Sequence, residues 1–391
     1  MQTLVFTTKL VLGALILASN GFYILCLIAA FKFFRRRQNT IENGPPATIL
    51  VPLHGEDFRA YECYAALCLQ KYGNYQIVFG VSDERDAAAP IVRALIEDFP
   101  DREIDLAVSR RRIGDNLKVS NLDNMLARAK HEYLVIVDSD IKVGEDYLRS
   151  VISPLLEENV GLVTCLYKAA GCRGFVSTLE AVGLTAEFAP GVLSAWLLEG
   201  MTFALGSTMA LTKTQLESIG GFRRLSSYLA DDFMLGNLVA AQGRQVRLSN
   251  YVVETTLEPC GFLAMFKHQL RWARSTRISR PLGYLGLIMT YGTPLALAYL
   301  TLDLGSKAGW LMLAATLCVR LAMGWLIGVH WLRDRVLRKY FWLLPVRDLM
   351  SLVVWFLGLI GRRVEWRGRR FEVLRDGQIV EVRDLRSEAP V

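Results

Sequence analysis

Between residues 47 and 166 the chain alternates short apolar runs with stretches of helical periodicity, and few folds accommodate that order. The runs ATILVPL (47–53), QIVFGVS (76–82), EIDLAVS (103–109), YLVIVDSD (133–140) and VGLVTCLY (160–167) have strand character. Between them lie AYECYAALCLQKY (60–72), AAPIVRALIEDF (88–99), VSNLDNMLARAK (119–130) and EDYLRSVISPLLEE (145–158), each with a period near 3.6. Strands separated by helices predict an α/β domain with a mainly parallel, Rossmann-like sheet covered on both faces. Such sheets bind ligands at the C-terminal ends of their strands.

Those ends are acidic. His54 and Glu56 follow the first run, Asp83 and Asp86 the second, and Asp138 and Asp140 the fourth. Two carboxylates one residue apart at a buried strand end suit a hard divalent cation gripping a phosphate; the same residues also suit a solvated turn. Acids gathered at several neighbouring strand ends repel unless a cation or a donor-rich ligand holds them, which favours the ligand site. No GxxxxGK[ST] is present and no GxGxxG follows a strand, so the usual ATP and dinucleotide readings lack support.

Composition adds a membrane. Of 391 residues 52% are hydrophobic, too many for an ordinary soluble chain. An apolar block from Leu10 to Phe34 precedes Arg35, Arg36 and Arg37, predicting a retained anchor over residues 1–36 with the following residues in the cytoplasm. Residues 282–304 and 308–330 predict a helical hairpin turning at Gly305, Ser306 and Lys307, with Arg320 facing protein or water. Leu349–Ile360, about a dozen residues after Arg347 and Asp348, reads as a short or in-plane segment. These divisions give an α/β domain over 37–280, a membrane region over 281–361 and a basic cytosolic or interfacial tail over 362–391, containing RRVEWRGRR. The net charge of +7 collects near membrane boundaries, which suits anionic headgroups rather than nucleic acid. Seven cysteines form no CxxC pair and no zinc pattern, as expected of reduced structural thiols.

Two further stretches carry chemistry. LADDFMLG (229–236) sets Asp231 and Asp232 before a helical pattern, where one acid suits a helix cap and the other a general base. In HQLRWAR (268–274) a helix puts His268, Arg271 and Trp272 on one face. Arg271 suits a diphosphate and Trp272 a flat wall, although a Trp/Arg belt at a bilayer surface has the same composition. Residues 185–211, with Phe188, Val192, Leu193, Trp196, Leu197 and Leu198, suit either an interfacial acceptor groove or core.

In order, Asp83, the DSD of 138–140, the ADD of 230–232 and the HQLRW of 268–272 resemble the D, DxD, (E/D)D and (Q/R)xxRW pattern of the family 2-like GT-A glycosyltransferases. The likeness extends to ceramide glucosyltransferases and bacterial hopanoid-associated glycosyltransferases, glycosyltransferase family 21, through GDNLKVSNL (114–122), VDSDIKV (137–143), GLVTCLY (161–167) and FALGSTMAL (203–211). It covers residues 47–285, and His268 departs from the pattern by standing at the Gln or Arg position.

The resemblance implies a GT-A catalytic domain in the cytoplasm, anchored in a bacterial inner membrane. It implies that Asp138 and Asp140 hold Mg2+ or Mn2+ on a UDP-sugar, with Asp83 on the uracil or ribose. Lys118, His268, Gln269, Arg271 and Trp272 then line the donor, and Asp232 is the base. The reaction implied is inverting transfer to a membrane lipid hydroxyl, glucose to ceramide or N-acetylglucosamine to a hopanoid polyol such as bacteriohopanetetrol. A processive polysaccharide synthase shares the motifs but needs more spans; an inactive nucleotide-binding scaffold and a phosphatase with Asp138 as nucleophile complete the alternatives.

Overall fold

The computed structural model describes residues 2–38, 40–42, 44–303 and 306–382. The five alternating runs form strands as expected, β1 (Ala47–Pro52), β2 (Tyr75–Val81), β3 (Glu103–Val108), β4 (Tyr133–Val137) and β6 (Val160–Ala169), and the structure adds β5 (Ile141–Lys142), β7 (Thr208–Thr212) and β8 (Gln245–Thr255). They lie side by side in the order β3-β2-β1-β4-β7-β6-β8-β5. β1 to β4 pair in parallel, and helices Ala60–Cys68, Ala88–Asp98 and Leu117–Leu126 make the crossovers. Both faces are covered, so β1 and β2 are buried at every residue, as continuous apolar runs require.

The far half is mixed. β7 runs antiparallel to β4 and β6, β6 and β8 are parallel, and the short β5 closes the edge antiparallel to β8. β8 escapes a sequence reading because QVRLSNYVVET carries polar residues at half-buried positions, and its register shifts against β6 between Cys165 and Leu166.

The N-terminal anchor is one helix, Gln2–Arg35. Its buried positions Ile16, Ser19, Tyr23, Cys26, Ala30 and Phe33 recur every three or four residues, while Leu4, Phe6, Leu10, Leu17, Ile24 and Ile28 are exposed on other faces. The buried stripe packs on the bent helix Phe175–Glu199, where Phe33 meets Trp196 edge to face at 5.3 Å. Val192 and Leu193 join the main core and Leu198 is 63% exposed, so residues 185–199 serve partly as core and partly as apolar surface.

The expected hairpin is corrected in its first arm. Residues 281–302 do not form one straight helix: Pro281–Gly286 continues as a 3-10 turn to Thr290, and Gly292–Leu302 departs at 57°. The break is tolerated because the Tyr23 hydroxyl donates to the Thr290 carbonyl at 2.8 Å and accepts from the Gly292 amide at 2.9 Å, satisfying backbone groups that the bend frees. The second arm, Lys307–Gly324, is capped by Ser306, whose hydroxyl accepts from the Gly309 amide at 3.1 Å; Gly305 of the expected turn lies outside the described residues.

The third segment is longer than its apolar run suggests. The helix spans Leu344–Gly358 and joins Arg335–Tyr340 through a 3-10 turn, 24 residues in all. The charges that close the run in sequence are buried inside it: Asp348 pairs with Arg320 at 2.7 Å and Arg347 with Glu187 at 2.9 Å. The length argument for an in-plane segment therefore falls. Among the described residues four helices are long and apolar enough to cross a membrane: Gln2–Arg35, Phe175–Glu199, Lys307–Trp331 and Arg335–Gly358.

The basic stretch after residue 362 forms a three-stranded antiparallel sheet, β9 (Arg363–Trp366), β10 (Arg369–Val373) and β11 (Ile379–Glu381). Val364, Phe371, Val373 and Ile379 pack there on Leu229, just before the ADD motif; residues 383–391 of the expected tail lie outside the described residues.

Candidate active site

Asp138 and Asp140 flank the turn from β4 to β5, at the C-terminal end of a central strand. The end of β8 fixes this turn: Thr255 Oγ1 donates to Asp140 Oδ2 at 2.6 Å, and the Thr256 amide donates to the Asp140 carbonyl at 2.8 Å. Burial first, and then the neighbouring Asp138 charge, push the Asp140 carboxyl up to about 7.

Across the cleft the GDN turn opens the helix Leu117–Leu126. Asn116 caps it by accepting from the Val119 amide at 3.0 Å and donates to the Tyr228 carbonyl at 2.8 Å, tying the turn to the segment before the acid pair. Lys118 thereby faces the aspartates, with Nζ 2.6 Å from Asp138 Oδ1 and 3.8 Å from Asp231 Oδ2. Burial opposes its charge, but Asp138 and Asp231 outweigh burial and hold the ammonium above its ordinary range.

The acid pair occupies the first turn of helix Asp231–Ala241. Neither side chain is the cap; both lie where the helix dipole favours a negative charge. Their environments separate them. Asp231 faces Asn116 and Lys118, whereas Asp232 Oδ1 accepts from the Phe233 amide at 2.8 Å and Oδ2 turns toward Gly206. A Cβ on Gly206 would lie 3.0 Å from Asp232 Oδ2 and 3.4 Å from Asp138 Oδ2, so these two carboxylates converge on one glycine. Burial, then Asp231, raise Asp232 to about 6 against the opposing pull of Lys118. A carboxylate tuned upward in this way suits a general base near neutral pH.

The HQLRW motif lies on helix Phe262–Ser279. Arg271 has no hydrogen-bond or ion-pair partner for its guanidinium among the described residues and lies within electrostatic reach of Asp232. Trp272 meets the His268 ring at 4.4 Å and packs on Leu184 and Leu257, so the pair forms a wall. Sequence reading missed what orients it. Glu180, 4% exposed, accepts from His268 Nδ1 at 2.8 Å and from Gln269 Nε2 at 3.3 Å. Arg347 Nη2 donates to Gln269 Oε1 at 2.9 Å, and Arg347 Nε to Glu187 at 2.9 Å. Both ends of the Gln269 amide are thus engaged inside the protein.

Asp83 lies beyond β2 with Arg85 and Arg110 on its carboxylate, and Arg85 foremost holds it well below the usual range. Asp86 instead accepts from the Gly55 amide at 2.9 Å and fixes the loop after β1; Glu56 is exposed.

The donor set fits a hard divalent ion. Among the described residues no three His, Cys, Asp or Glu side chains enclose an ion alone. Mg2+ and Mn2+ are commonly held by one or two carboxylates with phosphate oxygens and water, and Asp138 and Asp140, half-buried at one strand end, are such a pair.

The mixed sheet, its acid-tipped central strand and the flanking Lys118, Asp232 and Arg271 define the GT-A class of fold. A mannosyltransferase from Pyrobaculum calidifontis, solved in complex with GDP-Man and Mn2+, has this fold, with a TM-score of 0.58 at 19% identity over 90% of this chain and 99% of its own. Within that class the chain belongs to glycosyltransferase family 21, whose model, Glycosyl transferase family 21, matches residues 11–379. Ceramide glucosyltransferase 1 of Caenorhabditis elegans is 23% identical over 64% of this chain and 55% of its own length. Ceramide glucosyltransferase of Gibberella zeae is 28% identical over 32% of this chain and 26% of its own. The chain spans about half the length of the Caenorhabditis elegans relatives it matches, 55% and 56%.

Proposed function

We propose that this chain is a membrane-bound inverting glycosyltransferase that moves glucose from UDP-glucose to the hydroxyl of a ceramide-like lipid, from the cytoplasmic face of a bacterial inner membrane. The observation that carries the reading is the meeting of Asp232 and Asp138 at Gly206, with Asp232 held near pKa 6. A base poised beside a donor-binding carboxylate is what direct displacement needs.

In this reading Asp83 accepts hydrogen bonds from the uridine, while Lys118 and Arg271 neutralise the diphosphate. Asp138 and Asp140 would hold Mg2+ or Mn2+, which would supply further charge for the leaving group. The acceptor oxygen loses its proton to Asp232 as it bonds to the anomeric carbon, and the bond from that carbon to the β-phosphate oxygen breaks. UDP leaves, and an α-linked donor gives a β-linked product. Support for a lipid acceptor comes from Leu198, Phe262, Leu263, Leu282 and Leu285, apolar side chains exposed on the helices that precede and follow the acid pair in the chain.

The test is transfer by the full chain in lipid nanodiscs, with UDP-glucose or UDP-N-acetylglucosamine offered against ceramide and a hopanoid polyol and products read by mass spectrometry. Ceramide carrying one β-linked glucose is the expected product. Sugar on the polyol alone would move the acceptor to hopanoids, a ladder of sugars would make the chain a polysaccharide synthase, and no product with any pair would refute the activity.

A further inference from the structure

The basic stretch RRVEWRGRR, residues 362–370, has so far only its charge. In the fold it is a tight hairpin: Trp366 of β9 pairs with Arg369 of β10, leaving Arg367 and Gly368 alone as the loop. Both have positive φ, 49° and 74°. Two-residue hairpins with both central residues in this region favour Asn-Gly, because an ordinary side chain is strained there. Arginine occupies the position against that local preference, and such outliers gather at functional sites.

Its position is fixed from two sides. Approaching the hairpin, the chain runs antiparallel to helix Phe262–Ser279: Arg277 donates to the Leu359 and Gly361 carbonyls, Arg274 to those of Ile360 and Arg363, and Lys267 pairs with Glu365 at 3.0 Å. Arg271 lies between the Arg274 and Lys267 anchors, so β9 passes over it and the Arg367 turn follows. On the other side, the Ile379 amide donates to the Ser227 carbonyl at 2.7 Å, four residues before Asp231. The sheet thus joins the two motif-bearing segments.

Neither the Arg271 nor the Arg367 guanidinium has a hydrogen-bond or ion-pair partner among the described residues. Two unpaired cations beside one cleft repel each other; burial, and next the Arg367 charge, lower Arg271 to about 10. An anion between them relieves that repulsion and engages both forks.

We propose that Arg367 is a donor-binding residue, the second arm of a clamp that grips the diphosphate of the nucleotide sugar together with Arg271. This rests on the nucleotide-sugar reading above. The test compares wild type, Arg367→Asn, Arg367→Lys and Arg375→Gln, the last removing an exposed charge from the sheet's other turn. Affinity for UDP and the melting temperature of the ligand-free protein are measured for each. Arg367→Asn creates the favoured turn pair, so its melting temperature holds or rises, while UDP affinity falls at least tenfold. Arg367→Lys falls between, and Arg375→Gln binds as wild type. A purely structural role would lower melting temperature and affinity together and overturn the clamp, as would unchanged UDP affinity in Arg367→Asn or an equal loss in Arg375→Gln. Wild type that binds no UDP would instead overturn the nucleotide-sugar reading itself.

Discussion

The assignment of Asp232 as base fixes the pH dependence of transfer. A base works only when ionised, so kcat/KM rises with pH through the Asp232 pKa of about 6. At that value the ionised fraction is about 0.91 at pH 7 and about 0.09 at pH 5, so the rate falls roughly tenfold between them. Asp232→Asn removes the proton acceptor while retaining the hydrogen bond to the Phe233 amide, and should lower kcat by about 10²–10⁴ and abolish the acid limb. Stability runs the other way: the folded pKa lies above the ordinary aspartate value of 3.8, so this group's contribution is full below about pH 4 and lost as pH rises to about 6. Initial rates from pH 5 to 8 at saturating donor, for wild type and variant, decide the matter. A flat wild-type profile, or Asp232→Asn within tenfold of wild type, would refute the assignment.

Gly206→Ala places a methyl 3.0 Å from Asp232 Oδ2 and 3.4 Å from Asp138 Oδ2, in the space the reacting atoms need; kcat should fall at least about a hundredfold with UDP affinity retained, and equal losses in both would place the glycine elsewhere in the reaction. Arg347→Met leaves the half-buried Glu187 without its partner 2.9 Å away and should destabilise the protein by about 1–3 kcal/mol in detergent melts. Adding Glu187→Gln should recover part of that loss, whereas simple additivity would show that the pair is uncoupled.

The legible part of the molecule is the part whose physics is local. β1, β2 and β4 announce themselves because strands buried on both faces must be apolar throughout, and Asp138, Asp140 and Asp232 stand out as charges at the ends of apolar or helical patterns. What escaped depends on distant partners. Nothing near Glu180 in sequence indicates that it holds His268 and Gln269, 88 and 89 residues away. Arg347 and Asp348 look like the end of an apolar run because their partners Glu187 and Arg320 come from other helices. Gly206 reads as an ordinary loop glycine until the fold brings two carboxylates to it. Helical spacing likewise gives the face of Gln269, but not that Glu180 and Arg347 engage its amide.

The Arg320–Asp348 pair also constrains how the membrane region is made. In the membrane placement proposed above, either residue alone at the middle of a helix costs about 2.5–3.5 kcal/mol to insert. Together, with Thr293 donating to Asp348 at 2.6 Å, they are mutually neutralised. Helices Lys307–Gly324 and Leu344–Gly358 are therefore expected to enter the bilayer as a unit, and a nascent chain that has emerged only to residue 340 still carries an uncompensated arginine. Biogenesis of the membrane region is in this sense cooperative, completed only when its last helix arrives.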